Sequence, residues 1–485
     1  MRISVIASFD EHDADVTVLP VLRAAELPPV TRATGAALGL DLGSIAQRFE
    51  LDKPGEHCWI PDNGAHRGGD VLLVQVSEPA DGSVTADSLR QAATRAARAI
   101  RRPRVNCALT AVGLASGDAA GIVTDAFVLG GYNFDRYKTA ASGRHPAIEE
   151  LFLSGVNESD VEIARIIAEA TNFSRDLTNL PAGDLTPHGL ADTARDQAEV
   201  HGFSFRLLDN DQLLAGGFGG LVAVGAGSVN PPVLIELATG DPGAGDHTAL
   251  VGKGITFDTG GLDLKRLDAM STMKCDMAGA ASILAVMTAL RRLGCPANVR
   301  AYLACAENMP SGSAVRPGDI LTHRNGTTSE MISPDAEGRL VLADALALAA
   351  ESAPARMIDI ATLTGSTALG TDLWAVMGTD RTLAAQLVAA GQQCGEPGWE
   401  LPLWSNYRKA IESEVADVKN LQTGLVADFG AILGGLYLRE FVGEIPWVHM
   451  DIGSSAFRHQ PDEMWAAGAT GNPTRTLIRY LVDHA

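Results

Sequence analysis

The sequence predicts a two-domain α/β protein. Three observations carry that prediction: a length of 485 residues, a 46% hydrophobic content with 20% charged residues, and an alternation of short apolar runs with longer segments of helical period. At roughly 100–200 residues per domain the length allows two to four domains, and such a chain can bury enough apolar surface to need no staples.

Along the first part of the chain, Ile3–Ala7, Val16–Leu19 and Val71–Val76 read as strands and Ala86–Ile100 as a helix, with Val105–Val112 as the next strand. This alternation argues for layers of helix and sheet. A polar, turn-rich stretch, Asp135–Pro146, leads into Leu151–Ser154. The segment Ser159–Asn172 then carries a helical period through Val161, Ile163, Ile166, Ile167 and Ala170, and is read as a linker helix. Beyond Pro181 the pattern is α/β again, with Thr248–Val251, Val299–Leu303 and Met357–Ile360 as buried strands. The second domain is the larger. No period of 20–50 residues repeats, which argues against solenoids and propellers.

Charge and cysteine usage narrow the function classes. With 38 Lys+Arg against 59 Asp+Glu the formal charge is −21, which makes the general attraction to nucleic-acid phosphates or anionic membranes unfavourable. Apolar runs such as Ala345–Ala350 fall short of the ~18 residues a membrane span needs. The N-terminus meets Asp10, Glu11 and Asp13 almost at once, unlike a secretory peptide, so a cytoplasmic location is expected. Cys58, Cys107, Cys275, Cys295, Cys305 and Cys394 show no framework spacing and are read as reduced thiols.

Several common chemistries lack support. No H-E-x-x-H pair or G-x-S-x-G elbow occurs. Gly252-Lys253-Gly254 has His247 and Gly254 where a P-loop needs Gly and Ser/Thr. The cluster Arg95, Arg98, Arg101, Arg102 and Arg104 could hold an anion, but charges at helical spacing are usually a solvated face. His449, beside Trp447, is read as a hydrogen-bonded core or surface group.

What stands out is a set of carboxylates and lysines at strand ends and helix starts. In Val251–Gly261 a strand ends in glycines, with Lys253 and Asp258 at the edge. Lys265 follows, and Lys274–Ala280 opens a helix running to about Gly294, which places Asp276 in a first helical turn. Taken alone, Asp276 could simply be a helix-dipole carboxylate. Asp335 and Glu337 stand two apart before the apolar helix Leu340–Ala350; on extended backbone both side chains would point one way, or the pair could be a capping arrangement.

At these residues the sequence resembles the leucyl aminopeptidase (cytosol aminopeptidase) family of two-metal exopeptidases. The resemblance runs through Val251–Gly261, Lys265, Lys274–Ala281, Glu307–Gly312, Arg316–Asp319, Asp335–Leu340, Ala361–Gly365 and Gly468–Gly471 in matching order and spacing. Phe134–Lys138 and Arg175–Asn179 extend it upstream, more weakly before about Phe127. One departure lies inside a diagnostic segment: Ser333-Pro334 stands where the family usually carries Asn-Thr. Proline removes a backbone N–H and pushes Ser333 toward extended geometry.

The resemblance implies a smaller α/β N-terminal, macro-like domain over 1–155, a linker helix over 156–171, and a larger α/β catalytic domain with a central mixed sheet over 172–485, assembled as a homo-hexamer. It implies one divalent ion, Mn²⁺ or Zn²⁺, between Asp258, Asp335 and Glu337 with a backbone oxygen of Asp335. A second would sit between Lys253, Asp258, Asp276 and Glu337. Four carboxylates balance two divalent cations, and carboxylates suit either metal. Lys253 could coordinate only as the neutral amine, so metal binding must displace its proton. Such a pair can hold a bridging hydroxide near neutral pH and polarise a scissile carbonyl; a free substrate α-amino group would complete the Lys253 site, which makes the reaction exo- rather than endopeptidase. In the family pattern Lys265 stabilises the developing oxyanion and Arg339 anchors a bicarbonate that moves the proton. Met273, Thr362 and Gly365 match positions lining a side-chain pocket, so peptides with a free, apolar N-terminal residue such as leucine are the expected substrates.

Two other functions compete. A metallo-phosphoesterase would commonly add histidine ligands, and none accompanies these carboxylates. Some relatives bind DNA as architectural proteins; the −21 charge opposes that role, and Arg95–Arg104 leaves it only a small opening.

Overall fold

A computed structural model of the chain describes all residues except 10–11, 23–26, 63–66, 79–81, 140–146, 241–245, 366, 424–428 and 463. The fold is mixed α/β, and it divides into two compact units: Met1–Glu169 with Gln460–Ala466, and Ala170–His459 with Ala467–Ala485. Of the turn-rich stretch expected over Asp135–Pro146, residues 140–146 lie outside the described ones.

The first unit carries strands β1 (Arg2–Ile6), β2 (Val16–Val21), β3 (His57–Ile60), β4 (Asp70–Gln75), β5 (Arg104–Cys107) and β6 (Glu150–Ser154) in one sheet of order β1-β6-β5-β2-β4-β3. Only β3 runs antiparallel, against β4. The helix Ala86–Ala99 starts at Thr85, whose hydroxyl accepts from the Ser88 N–H in a capping box, and its buried stripe Leu89, Ala92, Ala93, Ala96 packs in the unit's core. The strand expected over Val105–Val112 stops at Cys107, because the chain turns where the Ala111 N–H donates to the Ala108 carbonyl. Leu109 and Val112 remain buried; the apolar run encoded burial, which periodicity alone does not distinguish from strand. Two arginines of the basic cluster are paired with acids: Arg102 lies 3.8 Å from Asp70 and Arg104 3.4 Å from Glu150. Arg95 and Arg98 line a cavity of about 640 Å³ that also contains Glu50 and Glu56.

A 22-residue helix, Glu158–Asn179, extends past the expected Asn172. Pro181 ends it, since a residue preceding proline is disfavoured in the α region.

The second unit contains β7 (Ser204–Leu208), β8 (Val233–Ala238), β9 (Thr248–Asp258), β10 (Val299–Asn308), β11 (Ile320–Thr322), β12 (Thr328–Glu330), β13 (Arg356–Ala361), β14 (Trp374–Gly378), β15 (Gly398–Glu400), β16 (Val418–Lys419) and β17 (Trp447–Asp451). Eight of these form a sheet in the order β15-β14-β17-β13-β9-β10-β8-β7, and β11-β12-β16 form a small separate one. β17, β13, β9 and β10 are mutually parallel, while β8 and β14 flank them antiparallel, so the sheet is mixed. Central parallel strands are covered on both faces and read as continuous apolar runs.

Two helices supply that cover. Every residue from Ala278 to Leu290 is buried in the helix Ala278–Arg292, and Gly338–Ala347 are buried in the helix Gly338–Glu351. A helix apolar on all sides belongs inside a protein. Both helices begin where β9 and β13 end, and ligand sites in such sheets form at the carboxyl ends of strands. Among the described residues no helix is long and apolar enough to cross a membrane. All six cysteines are free thiols.

Candidate metal centre

Lys253 lies within β9 and Asp258 at its carboxyl end, opposite Asn308 of β10. Asp276 follows the 3-10 turn Met273–Cys275, before the helix that starts at Ala278. It is therefore not in a first α-helical turn, and its carboxylate faces the sheet: Oδ1 lies 2.8 Å from Lys253 Nζ and accepts from Thr362 Oγ1 at 2.7 Å. Asp335 and Glu337 converge by a different route from the extended backbone expected. The Ala336 N–H donates to the Ser333 carbonyl, and Glu337 has helical dihedrals of −74° and −35°, so a turn gathers the two side chains. Glu337 makes no capping bond; its Oε1 lies 2.7 Å from Lys253 Nζ.

Lys265 Nζ bridges Asp258 Oδ2 at 2.8 Å and Asp335 Oδ1 at 2.5 Å. Lys253 Nζ also donates to the Thr362 carbonyl at 2.8 Å. Glycine admits this packing: a Cβ at Gly338 would lie 2.7–2.9 Å from the last three atoms of Lys253. At Gly260 (φ +83°) a Cβ would strike the Asp263 carbonyl and Asp335 Oδ1.

Four carboxylates against two ammonium groups leave two negative charges in a largely buried site. Burial, and then Glu337, push the Asp258 carboxyl up to about 7 in spite of Lys265 and Lys253. Burial likewise raises Asp276 and Asp335. Burial would raise Glu337 too, but Lys253 and Lys265 hold it low. For Lys253 burial would favour the neutral amine, yet Asp276, Glu337 and Asp258 outweigh it and raise its pKa. Lys265 is raised for the same reason by Asp258 and Glu337.

These residues fit divalent cations. Oxygens of Asp258, Asp335 and Glu337 lie within 4.8 Å of one another. Asp276 Oδ2 and Glu337 Oε2 are buried and, among the described residues, without a hydrogen-bond partner, a costly state for a carboxylate oxygen. Arg339 is buried, donates from Nη1 to the Asn420 carbonyl at 2.7 Å, and has a buried Nε with no described partner. Thr362 touches the cluster directly. The Met273 carbonyl accepts from the Asp276 N–H at 3.3 Å, and Gly365 lies exposed three residues beyond Thr362.

Sequence reading missed three residues that shape this centre. Asn308 Nδ2 donates to Asp258 Oδ1 at 2.8 Å and to the Pro334 carbonyl at 3.0 Å. Asn420, fully buried, accepts from the Ile332 and Ser333 N–H groups and donates to the Ser333 and Ala336 carbonyls. Asp451, ending β17, takes the Leu363 N–H and the Thr364 hydroxyl and so fixes the chain beyond Thr362. An isolated Asn carries no sequence signal of its destination; Asp451 at a strand end could have been noticed. His449 is indeed a core group, buried with Nδ1 2.5 Å from Asp359 Oδ1.

Residues 172–478 match the model of the cytosol aminopeptidase family, catalytic domain. A probable cytosol aminopeptidase of Streptomyces coelicolor is 39% identical, over 96% of this chain and 95% of its own length. Among solved structures, the bottromycin maturation enzyme BotP is 36% identical with a TM-score of 0.85, covering 97% of this chain and 99% of BotP, and is also known in complex with Mn. A mutant tomato leucine aminopeptidase has a TM-score of 0.87 at 29% identity, covering 100% of this chain and 96% of its own.

Gly338→Ala should cost about 1–3 kcal/mol through overpacking against Lys253 and weaken metal uptake, measured by chemical denaturation and equilibrium dialysis; unchanged values would contradict the close packing. Asp258 carries a proton below about pH 7 and Lys253 must lose one, so Mn²⁺ affinity should rise by about tenfold or more per pH unit between pH 5 and 7. A flat profile would contradict it.

Proposed function

From membership of the cytosol aminopeptidase family, to which the chain belongs as a metal-dependent hydrolase of the exopeptidase class, we propose that it releases leucine and other apolar N-terminal residues from peptides. The observation that carries this reading is the convergence of Asp258, Asp276, Asp335 and Glu337 on Lys253 and Lys265, with two buried carboxylate oxygens that have no hydrogen-bond partner among the described residues. One ion would be held by Asp258, Asp335 with its backbone oxygen, and Glu337. The other would be held by Lys253, Asp258, Asp276 and Glu337. Mn²⁺ and Zn²⁺ both suit this donor set. When bound, such ions would activate water as a nucleophile near neutral pH and polarise the scissile carbonyl.

The protein's own groups supply the rest. Lys265, a half-buried cation beside Asp258 and Asp335, stabilises negative charge developing on the carbonyl oxygen; in a poorly hydrated site such a charge is worth more than in water. Arg339 presents a buried Nε donor suited to holding a planar anion such as bicarbonate, a group whose chemistry would be proton transfer between water and leaving amine. Met273, Thr362 and Gly365 line the space for the N-terminal side chain. A homo-hexamer in the cytoplasm, acting on peptides with a free N-terminus, is the setting that accords with the resemblance. A nucleic-acid-binding role is not favoured: the charge is −21 and Arg102 and Arg104 are paired with acids.

Hydrolysis of leucine p-nitroanilide by metal-stripped protein, before and after adding Mn²⁺ or Zn²⁺, tests the proposal. Metal should restore activity; Asp335→Ala and an N-acetylated substrate should each reduce it by at least about 10³-fold, the scale on which removing key catalytic groups acts. A wild-type protein inactive with every divalent ion and a panel of free-amino peptides would overturn it.

A further inference from the structure

The proposed metal centre leaves one nearby carboxylate unassigned, Asp263, on the loop between Asp258 and Lys265. We propose that Asp263 is a positioning residue: through Ser333 it clasps the Lys265 loop to the Asp335 turn and so sets the geometry of the site's Asp335 side. This rests on the metal-binding reading above for its functional consequence, but not for the clasp itself.

The contacts form a short relay. Ser333 Oγ donates to Asp263 Oδ2 at 2.5 Å and accepts from the Asp335 N–H at 3.1 Å. A serine hydroxyl has one proton and can rotate; a carboxylate acceptor fixes that rotor with a lone pair toward the Asp335 amide. The arrangement matters here because Pro334 has no N–H, so the Asp335 amide is the first donor after Ser333 that can pin this turn. Asn420 holds both sides of Ser333, through its N–H and its carbonyl, and Asn308 holds the Pro334 carbonyl. The amide of Asp335 is left to the clasp.

At the other end of the relay Asp263 is exposed, but its backbone is tied. The Asp263 N–H donates to the Gly260 carbonyl at 3.1 Å, and the Lys265 N–H to the Thr259 carbonyl at 2.9 Å. Gly260 packs so closely that a Cβ would lie 2.2 Å from the Asp263 carbonyl oxygen and 2.8 Å from Asp335 Oδ1; one at Gly261 would lie 3.0 Å from Pro334 Cβ. The two loops are thus docked face to face, with Lys265 Nζ between Asp258 and Asp335. A shift of the Asp335 turn would move its carboxylate and backbone oxygen together. Groups that orient ligands in this way typically alter metal affinity 10–100-fold when removed.

The test compares Asp263→Ala, Ser333→Ala, their double variant and Asp263→Asn in the full-length protein. Two readouts are taken: hydrogen exchange of the 333–340 segment in the metal-free protein, and Mn²⁺ affinity by equilibrium dialysis. Asp263→Ala and Ser333→Ala should each speed exchange of the Asp335 amide and weaken Mn²⁺ binding by about tenfold or more. The double variant should be no worse than either single one, since both break the same relay. Asp263→Asn, whose side-chain oxygen still accepts from Ser333, should behave as wild type. Wild-type exchange in Asp263→Ala, additive single effects, or an Asp263→Asn as damaged as Asp263→Ala would each overturn the clasp. A wild-type protein that takes up no metal, with exchange still accelerated in Asp263→Ala, would overturn the metal reading and leave the clasp standing.

Discussion

The constraint on which the second unit depends is the confinement of four carboxylates at the carboxyl end of β9 and just before the helices Ala278–Arg292 and Gly338–Glu351. Burying one unpaired carboxylate costs several kcal/mol, and like charges side by side make each other worse. Lys253 and Lys265 offset half of that charge. The remainder must be met by protons, as the raised Asp258 shows, or by cations. A site this expensive in the metal-free state is one whose assembly is coupled to metal binding.

Much of the surrounding sequence serves that confinement. Gly338 and Gly260 give up side chains so that Lys253 and Asp335 can reach their places. Asn308 and Asn420 tie down the turn through Ser333 and Pro334, and Asp451 ties down the segment at Leu363, each by side-chain to backbone bonds. Such neutral or already satisfied groups hold geometry without adding uncompensated charge inside the cluster. The apolar helices Ala278–Arg292 and Gly338–Glu351 supply rigid walls, and the strand ends supply the directions.

The alternation of apolar runs is enough to read an α/β fold, because buried parallel strands such as β4 carry continuous runs of Val and Leu. Their ends were harder to read. β9 and β10 run on to Asp258 and Asn308, past the last apolar residues, since polar groups at the carboxyl ends face the site rather than the core. Val105–Val112 erred the other way, as an apolar run that bends. Asp276, Asp335 and Glu337 stood out as a set, yet the local reasons assigned to them, a helical turn and an extended spacing of two, differ from the turns that gather them. Asn420 and Asp263 were illegible: each acts across a separation of many residues, on partners that only the folded chain brings near.

The central claim is that these buried carboxylates, with Lys253, hold two divalent cations per chain. Metal content of protein equilibrated with excess Mn²⁺ and then freed of unbound ion, measured by mass spectrometry against protein concentration, tests it most directly. The account predicts two ions per chain in the wild-type protein, falling to one when Asp276 is replaced by Ala. A wild-type protein retaining no ion, or retaining two in the absence of Asp276, would contradict it.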